Sequence, residues 1–212
     1  MNQNLYKIIE LYATTGFEEL VRFLNGLSKP ALISTLIDFV TIYINDKNSS
    51  KLREILTLKI AGYEPLEEKL GYNGYKLEIG QKGKIFCEVK PQNTITHKRK
   101  LDGGGSFNDY TKERFEKDSK QNLMILSSGF VGGKLIYVFE FPFECIKERL
   151  RMQLEKRFPS ARKKGEYLRS ASFSFKHYKD CKDLKVVFCT EKINEFKKFL
   201  TRDIYNFLKE RR

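Results

Sequence analysis

The segment Lys84-Ile85-Phe86-Cys87-Glu88-Val89-Lys90 sets a carboxylate and an ammonium two residues apart. Its composition predicts a strand, and strand side chains alternate between faces. Ile85, Cys87 and Val89 then point one way, and Phe86, Glu88 and Lys90 the other. Glu88 and Lys90 thus share a face near the C-terminal end of the strand. A carboxylate so placed can ligate Mg²⁺, and an ammonium beside it can orient or polarise a water and stabilise charge on a phosphate. A second β-prone run, residues 75–79, precedes it across Gly80-Gln81-Lys82-Gly83, a hairpin signal. That run holds Glu78, ten residues before Glu88. With a turn centred near Gln81 and Lys82, Glu88 faces roughly Lys76 and Leu77. Glu78 then falls within about one residue of the cross-strand position, near enough to share a metal. Which face Glu78 takes depends on the turn. A Glu-x-Lys pair on a strand also has a plain reading, a solvated pair on a sheet surface. The hairpin, the upstream acid, the basic chain and a helix after the strand favour chemistry.

Glu88-Val89-Lys90, following a hairpin and an apolar strand, resembles the second half of the PD-(D/E)XK nuclease motif. The resemblance covers about residues 70–141. It implies a mixed central β-sheet flanked by helices, as in restriction endonucleases, and hydrolysis of a DNA phosphodiester by an activated water with Mg²⁺. It further implies Glu78 and Glu88 as metal ligands, the backbone carbonyl of Val89 as another, and Lys90 as the residue that holds or activates the water. The family's first acid is usually Asp, and no Asp lies between Asp46 and Asp102. Glu78 is at an allowed spacing and is the first choice. Asn73 stands where the family's Pro-Asp pair would otherwise be and could contact a metal weakly, and Glu68, at the end of the helical region, is a further alternative ligand, since an N-terminal helix often contributes a Glu in this family.

Several elements must position these groups. Residues 1–70 carry apolar residues at helical spacing, with Ser28 as a cap, Pro30 in a first turn, and a short last turn from Pro65 to Gly71. Residues 71–212 read as an α/β catalytic core. Pro91 is expected to end the motif strand. Gly103-Gly104-Gly105 reads as a flexible loop over the site, with Ser106 or Asn108 capping a helix over about 109–120. Residues 123–127 and 134–141 are strands around Gly132-Gly133, and the second is apolar on both faces, as a central strand is. Helix 143–158, strands near 171–175 and 184–189, and one amphipathic helix over 192–209 complete the order. No internal repeat is evident.

The 212 residues carry a net charge of +13. Residues 1–146 hold 20 basic and 18 acidic side chains, whereas residues 147–212 hold 20 and 9. A field concentrated in the last third suits a polyanion. With 41% hydrophobic residues the chain can bury a core, which excludes a wholly disordered protein. Arg157, Arg162, Lys163, Lys164 and Arg169, interleaved with Phe158 and Tyr167, form the strongest basic patch, and Lys98, Arg99 and Lys100 form another. Lys112 and Arg114 are further candidates for the DNA backbone, although acids on their helix offset them. Gln92 and Asn93 can support the site or read a base edge.

No apolar run spans a bilayer, and Met1-Asn2-Gln3-Asn4 does not open a signal peptide. Cys87, Cys145, Cys181 and Cys189 form no Cys-x-x-Cys pair and read as reduced thiols of a cytoplasmic protein. With His97 and His177 they do not make a zinc ligand set. Together with these features, the PD-(D/E)XK resemblance implies a type II restriction enzyme: Mg²⁺-dependent, specific for double-stranded DNA, and expected to be homodimeric through the weakly charged, apolar N-terminal helices. A cognate DNA methyltransferase would belong to the same system. A nicking subunit, a junction resolvase or a repair nickase would share these features. A non-catalytic DNA-binding protein is the rival, with Glu88 and Lys90 merely paired.

Overall fold

A computed structural model describes residues 2–66, 71–77, 83–159 and 166–211. The chain forms two compact units, Met1–Leu52 and Arg53–Arg212. The first is helical: α1 (Gln3–Thr14), α2 (Phe17–Asn25) and α3 (Lys29–Asn45). Side-chain caps define two of the starts. Asn2 accepts from the Asn4 N–H, and Ser28 accepts from the Ala31 N–H one residue past Pro30. Leu5 and Leu20 are buried between α1 and its neighbours. Much of α3 is apolar yet exposed, including Ile33, Leu36, Ile37 and Val40.

The second unit is mixed α/β. It takes in most of α4 (Lys51–Ile60) and a two-residue strand β1 (Glu64–Pro65), both ahead of residue 71. Then follow β2 (Gly74–Leu77), β3 (Lys84–Thr94), β4 (Gly105–Tyr110), α5 (Lys112–Lys120), β5 (Leu123–Val131), β6 (Lys134–Pro142), α6 (Glu144–Arg157), β7 (Leu168–Phe173), β8 (Lys185–Cys189) and α7 (Arg202–Glu210). Single 3-10 stretches fill Phe175–His177 and Ile193–Phe199. The main sheet runs β1-β2-β3-β5-β6-β8. Among the described strands only β3 and β5 pair in parallel, joined by a crossover through β4 and α5. β4 and β7 make a separate antiparallel pair.

The sheet buries both faces unequally. Leu58 and Tyr63 pack with Cys87, Val89 and Leu126 on one face. The other face carries the larger core, in which Phe139, Phe141, Phe173 and Tyr178 meet under α5, α6 and α7. β6 is buried from Ile136 to Phe141, as expected of a central strand. Gly132 and Gly133 have φ of 55° and 79°, the left-handed pair that a two-residue hairpin turn between Val131 and Lys134 needs.

Several local expectations are corrected. Pro91 does not end β3, which pairs with β5 as far as Thr94. The Val89 N–H points to the β2 side, so the position that lacks an N–H at Pro91 does too. β2 has already ended there, and no ladder bond is lost. The glycine run leads into β4 rather than a loop, and α5 starts only at Lys112, capped by Thr111, because Asp109 sits at φ 50° and breaks helical continuity. Pro65 lies in a strand paired to β2, not in a helical turn. The last segment is not one helix. Leu200 bridges Leu101, with Leu101 N–H to Phe199 O at 2.8 Å and Thr201 N–H to Leu101 O at 3.0 Å, and this splits it. Two cysteines are not free thiols: Cys145 and Cys181, 5.9 Å apart at Cα, are disulfide-bonded, and their separation of 36 residues left no local signal. Cys87 and Cys189 are free. Among the described residues no helix is long and apolar enough to cross a membrane.

Candidate active site

β3 alternates as its sequence dictates. Cys87 and Val89 enter the smaller core, while Phe86, Glu88, Lys90 and Gln92 face the larger side. Lys90 Nζ donates to Glu88 Oε1 at 2.8 Å, and each side chain is 14% exposed. The ammonium also sits over the Phe107 ring of β4, 4.3 Å from its centroid. β4 comes this close because residue 105 is glycine: a Cβ there would lie 2.6 Å from both Cβ and Cγ of Lys90. The glycine run is tied down. The Gly103 carbonyl accepts from Ser127 Oγ at 2.9 Å and from Tyr178 Oη at 2.7 Å.

Glu88 has a second cationic neighbour. Arg114 Nη2 of α5 is 3.7 Å from Oε2, and that buried oxygen has no hydrogen-bond partner. Arg114 Nε binds Asp118 at 2.8 and 3.0 Å, and Tyr72 and Tyr110 donate their hydroxyls to the same carboxylate. Asp118 is wholly buried. Burial raises its carboxyl above the usual range, against the pull of Arg114. Burial also works against the Arg114 cation, but Asp118 and Glu88 outweigh it and hold the guanidinium firmly charged. Burial, reinforced by Asp118, pushes the Tyr72 and Tyr110 hydroxyls up, so they stay protonated donors. In sequence the acids of this helix count only as an offset to its basic charge. Asp118 is instead buried with Arg114, and their i, i+4 spacing was the available signal.

The hairpin register differs from the expected one. Lys76 faces Ile85, Leu77 faces Lys84 and Gly74 faces Cys87. The residue brought beside the Glu-x-Lys segment is therefore Asn73. Its N–H donates to Cys87 O at 3.0 Å, and its Oδ1 accepts from the Val89 N–H at 2.8 Å. Asn73 Nδ2 in turn donates to Glu54 Oε2 of α4 at 3.3 Å. Glu54 is thus the helix carboxylate at this end of the sheet, and it was not singled out in the sequence. Glu78 and Glu68 lie outside the described residues. The Val89 carbonyl leaves β3 on the same side as its N–H, past the end of β2.

The oxygens along this end of β3 are of the kind a hard cation takes: the Glu88 carboxylate with its unbonded Oε2, the Val89 carbonyl and the Asn73 amide, whose nitrogen is held by Glu54. Among the described residues no three His, Cys, Asp or Glu side chains cluster to hold a metal by themselves. Oxygen donors of this type are those that Mg²⁺ takes, with few carboxylates and several waters kept.

The expected DNA-binding residues divide. Lys98, Arg99 and Lys100 are exposed on the connection from β3 to β4, and Lys112, Arg157 and Arg169 are exposed on their elements. Arg114 is engaged with Asp118 instead. Gln92 supports the fold locally: its Nε2 donates to Asp102 Oδ1 at 2.6 Å, and its Oε1 accepts from the Asp102 N–H at 3.1 Å. Asn93 Oδ1 accepts from the Gly133 N–H at 3.4 Å. Arg162, Lys163 and Lys164 lie outside the described residues. The chain matches no protein-family model and no curated protein.

Proposed function

We propose that the chain is a Mg²⁺-dependent endonuclease of the PD-(D/E)XK type that cuts double-stranded DNA at specific sites, as type II restriction enzymes do. One observation carries this reading: Glu88 and Lys90 share one face of β3 at 2.8 Å, with a carboxylate oxygen of Glu88 buried and unbonded. The hairpin leading into β3 and the helical crossover to a parallel β5 are in keeping with such a nuclease core.

Glu88, the Val89 carbonyl and Asn73 would hold Mg²⁺, with Glu78 a further candidate. When bound, Mg²⁺ lowers the pKa of a coordinated water and offsets phosphate charge. Lys90 has three N–H donors, and Glu88 takes one. The others orient the attacking water and bind a non-bridging phosphate oxygen. The water gives up a proton to solvent as its oxygen bonds to phosphorus in line with the 3′ oxygen; the P–O3′ bond breaks and the 3′ oxygen takes up a proton, so the cut end carries a 5′-phosphate. Arg114 keeps positive charge on the far side of Glu88. The exposed basic side chains neutralise backbone phosphates, which makes binding fall with salt. A homodimer, joined through the exposed apolar residues of α3, cuts both strands.

The non-catalytic reading is favoured by one fact, that Lys90 and Arg114 both neutralise Glu88. Incubation of unmethylated plasmid and phage DNA with Mg²⁺ or EDTA separates the two. Wild type is expected to give discrete fragments with Mg²⁺ only, and Glu88→Gln and Lys90→Ala to lose at least about 10²-fold in rate. Open circles alone would identify a nicking enzyme. Intact DNA that still shifts on a gel in EDTA would sink the nuclease reading.

A further inference from the structure

Beyond Gln92 on the same face of β3, a cavity of about 340 Å³ opens between β3, β4, β7, α6 and the Phe175–His177 turn. Gln92, Asp102, Arg149, Ser172, Lys176 and His177 line it. Its charges are unbalanced. Arg149 Nε is buried without a hydrogen-bond partner, and neither Arg149 nor exposed Lys176 has an acidic ion-pair partner among the described residues. His177 Nδ1 accepts from the Ser174 N–H at 2.9 Å, so the neutral ring carries its proton on Nε2 and presents a donor. Burial lowers the His177 pKa, and the nearby Arg149 and Lys176 cations add to that. Asp102 is the one acid in the wall. Its Oδ1 already accepts from Gln92 Nε2 at 2.6 Å and the Gly104 N–H at 3.0 Å. Two unpaired cations and a ring N–H around a small polar cavity lack a compact anion with several acceptor oxygens.

We propose that this cavity binds a phosphate group. Arg149 and Lys176 are its charge partners, and the His177 Nε2–H and the Ser172 hydroxyl are its further donors. Resting on the nuclease reading, the phosphate is one of the DNA backbone near the scissile bond, since Gln92 stands about 6.6 Å along β3 from Lys90. The binding itself requires neither Mg²⁺ nor cleavage.

The test uses the full chain in EDTA, with inorganic phosphate titrated while the ring resonances of its two histidines, His97 and His177, are followed by NMR. The expected result is a saturable shift confined to His177, absent with equimolar chloride. It should weaken at least roughly tenfold in Lys176→Glu and in Arg149→Gln. Lys176 is exposed, so its variant keeps the test decisive if Arg149→Gln fails to fold. Unmethylated duplex DNA that reverses the shift identifies the backbone as the source. If phosphate binds and DNA does not compete, the site stands as one for a free phosphate and the DNA assignment falls, whatever the cleavage assay shows. A His177 signal indifferent to phosphate, or equal affinity in Lys176→Glu, overturns the proposal.

Discussion

Residue 73, the neighbour of the Glu-x-Lys segment across β2 and β3, is an amide and not a carboxylate. Asn73 holds the Val89 N–H with its oxygen and Glu54 with its nitrogen, so it fixes the end of the Glu-x-Lys segment without adding charge. Asp at this position keeps the acceptor for Val89 and loses the donor to Glu54, which leaves two carboxylates side by side. Asn73→Asp is therefore expected to lose about 1–3 kcal/mol of stability in EDTA. Mg²⁺ should restore part of that loss and support cleavage at lower concentration. Thermal unfolding with and without Mg²⁺ checks this, and a melting temperature that ignores Mg²⁺ would show that residue 73 borders no cation site. Glu88 and Lys90 were legible because strand alternation is a local rule. Glu54 was not, and Asn73 was singled out only through the family resemblance, because their place beside the Glu-x-Lys segment depends on a strand register that no local pattern fixes. Asp118 was hidden for another reason: a charged side chain reads as solvated until the tyrosines that receive it are known.

Each face of the sheet encloses its own polar cluster. Opposite the Glu88 site, Glu140 of β6 is 5% exposed and accepts from Tyr63 Oη at 2.8 Å and from Lys76 Nζ at 2.6 Å. The Lys76 ammonium also lies 4.4 Å from the Tyr63 ring centroid. This cluster ties β2 to β6 across two intervening strands. Tyr63→Phe is expected to cost about 1.5–3 kcal/mol in urea unfolding, as loss of a hydrogen bond to a charged group does, and to leave DNA cleavage per folded molecule unchanged. A rate loss as large as that of Lys90→Ala would move the active face to this side. α3, α6 and the doubly buried β6 lie where their residue patterns predict them, and β2 pairs with β3 as expected but in another register. β4 was missed because its partner β7 lies some sixty residues on, and a short strand with Gly, Asn and Asp has little propensity of its own. The final helix was over-extended because a bridge at Leu200 satisfies backbone groups that a periodicity count does not see.

The disulfide and the glycine at position 105 both join parts of the molecule that are distant in sequence. Cys145, at the start of α6, is bonded to Cys181, four residues past His177. Alkylation of the unfolded chain without reductant should label two cysteines, Cys87 and Cys189, and four after reduction, as counted by mass spectrometry. Four labels without reductant would overturn the cross-link. Gly105 belongs to the two-stranded sheet, fifteen residues from Lys90 in sequence, yet its missing side chain is the space that Lys90 fills. A glycine codon can change only silently, to a stop, or to a residue with a β-carbon. Every missense allele at position 105 therefore presses on Lys90. In a genetic screen such alleles would cluster with those of Glu88 and Lys90 themselves, and a reader of the sequence would take them for lesions in a loop.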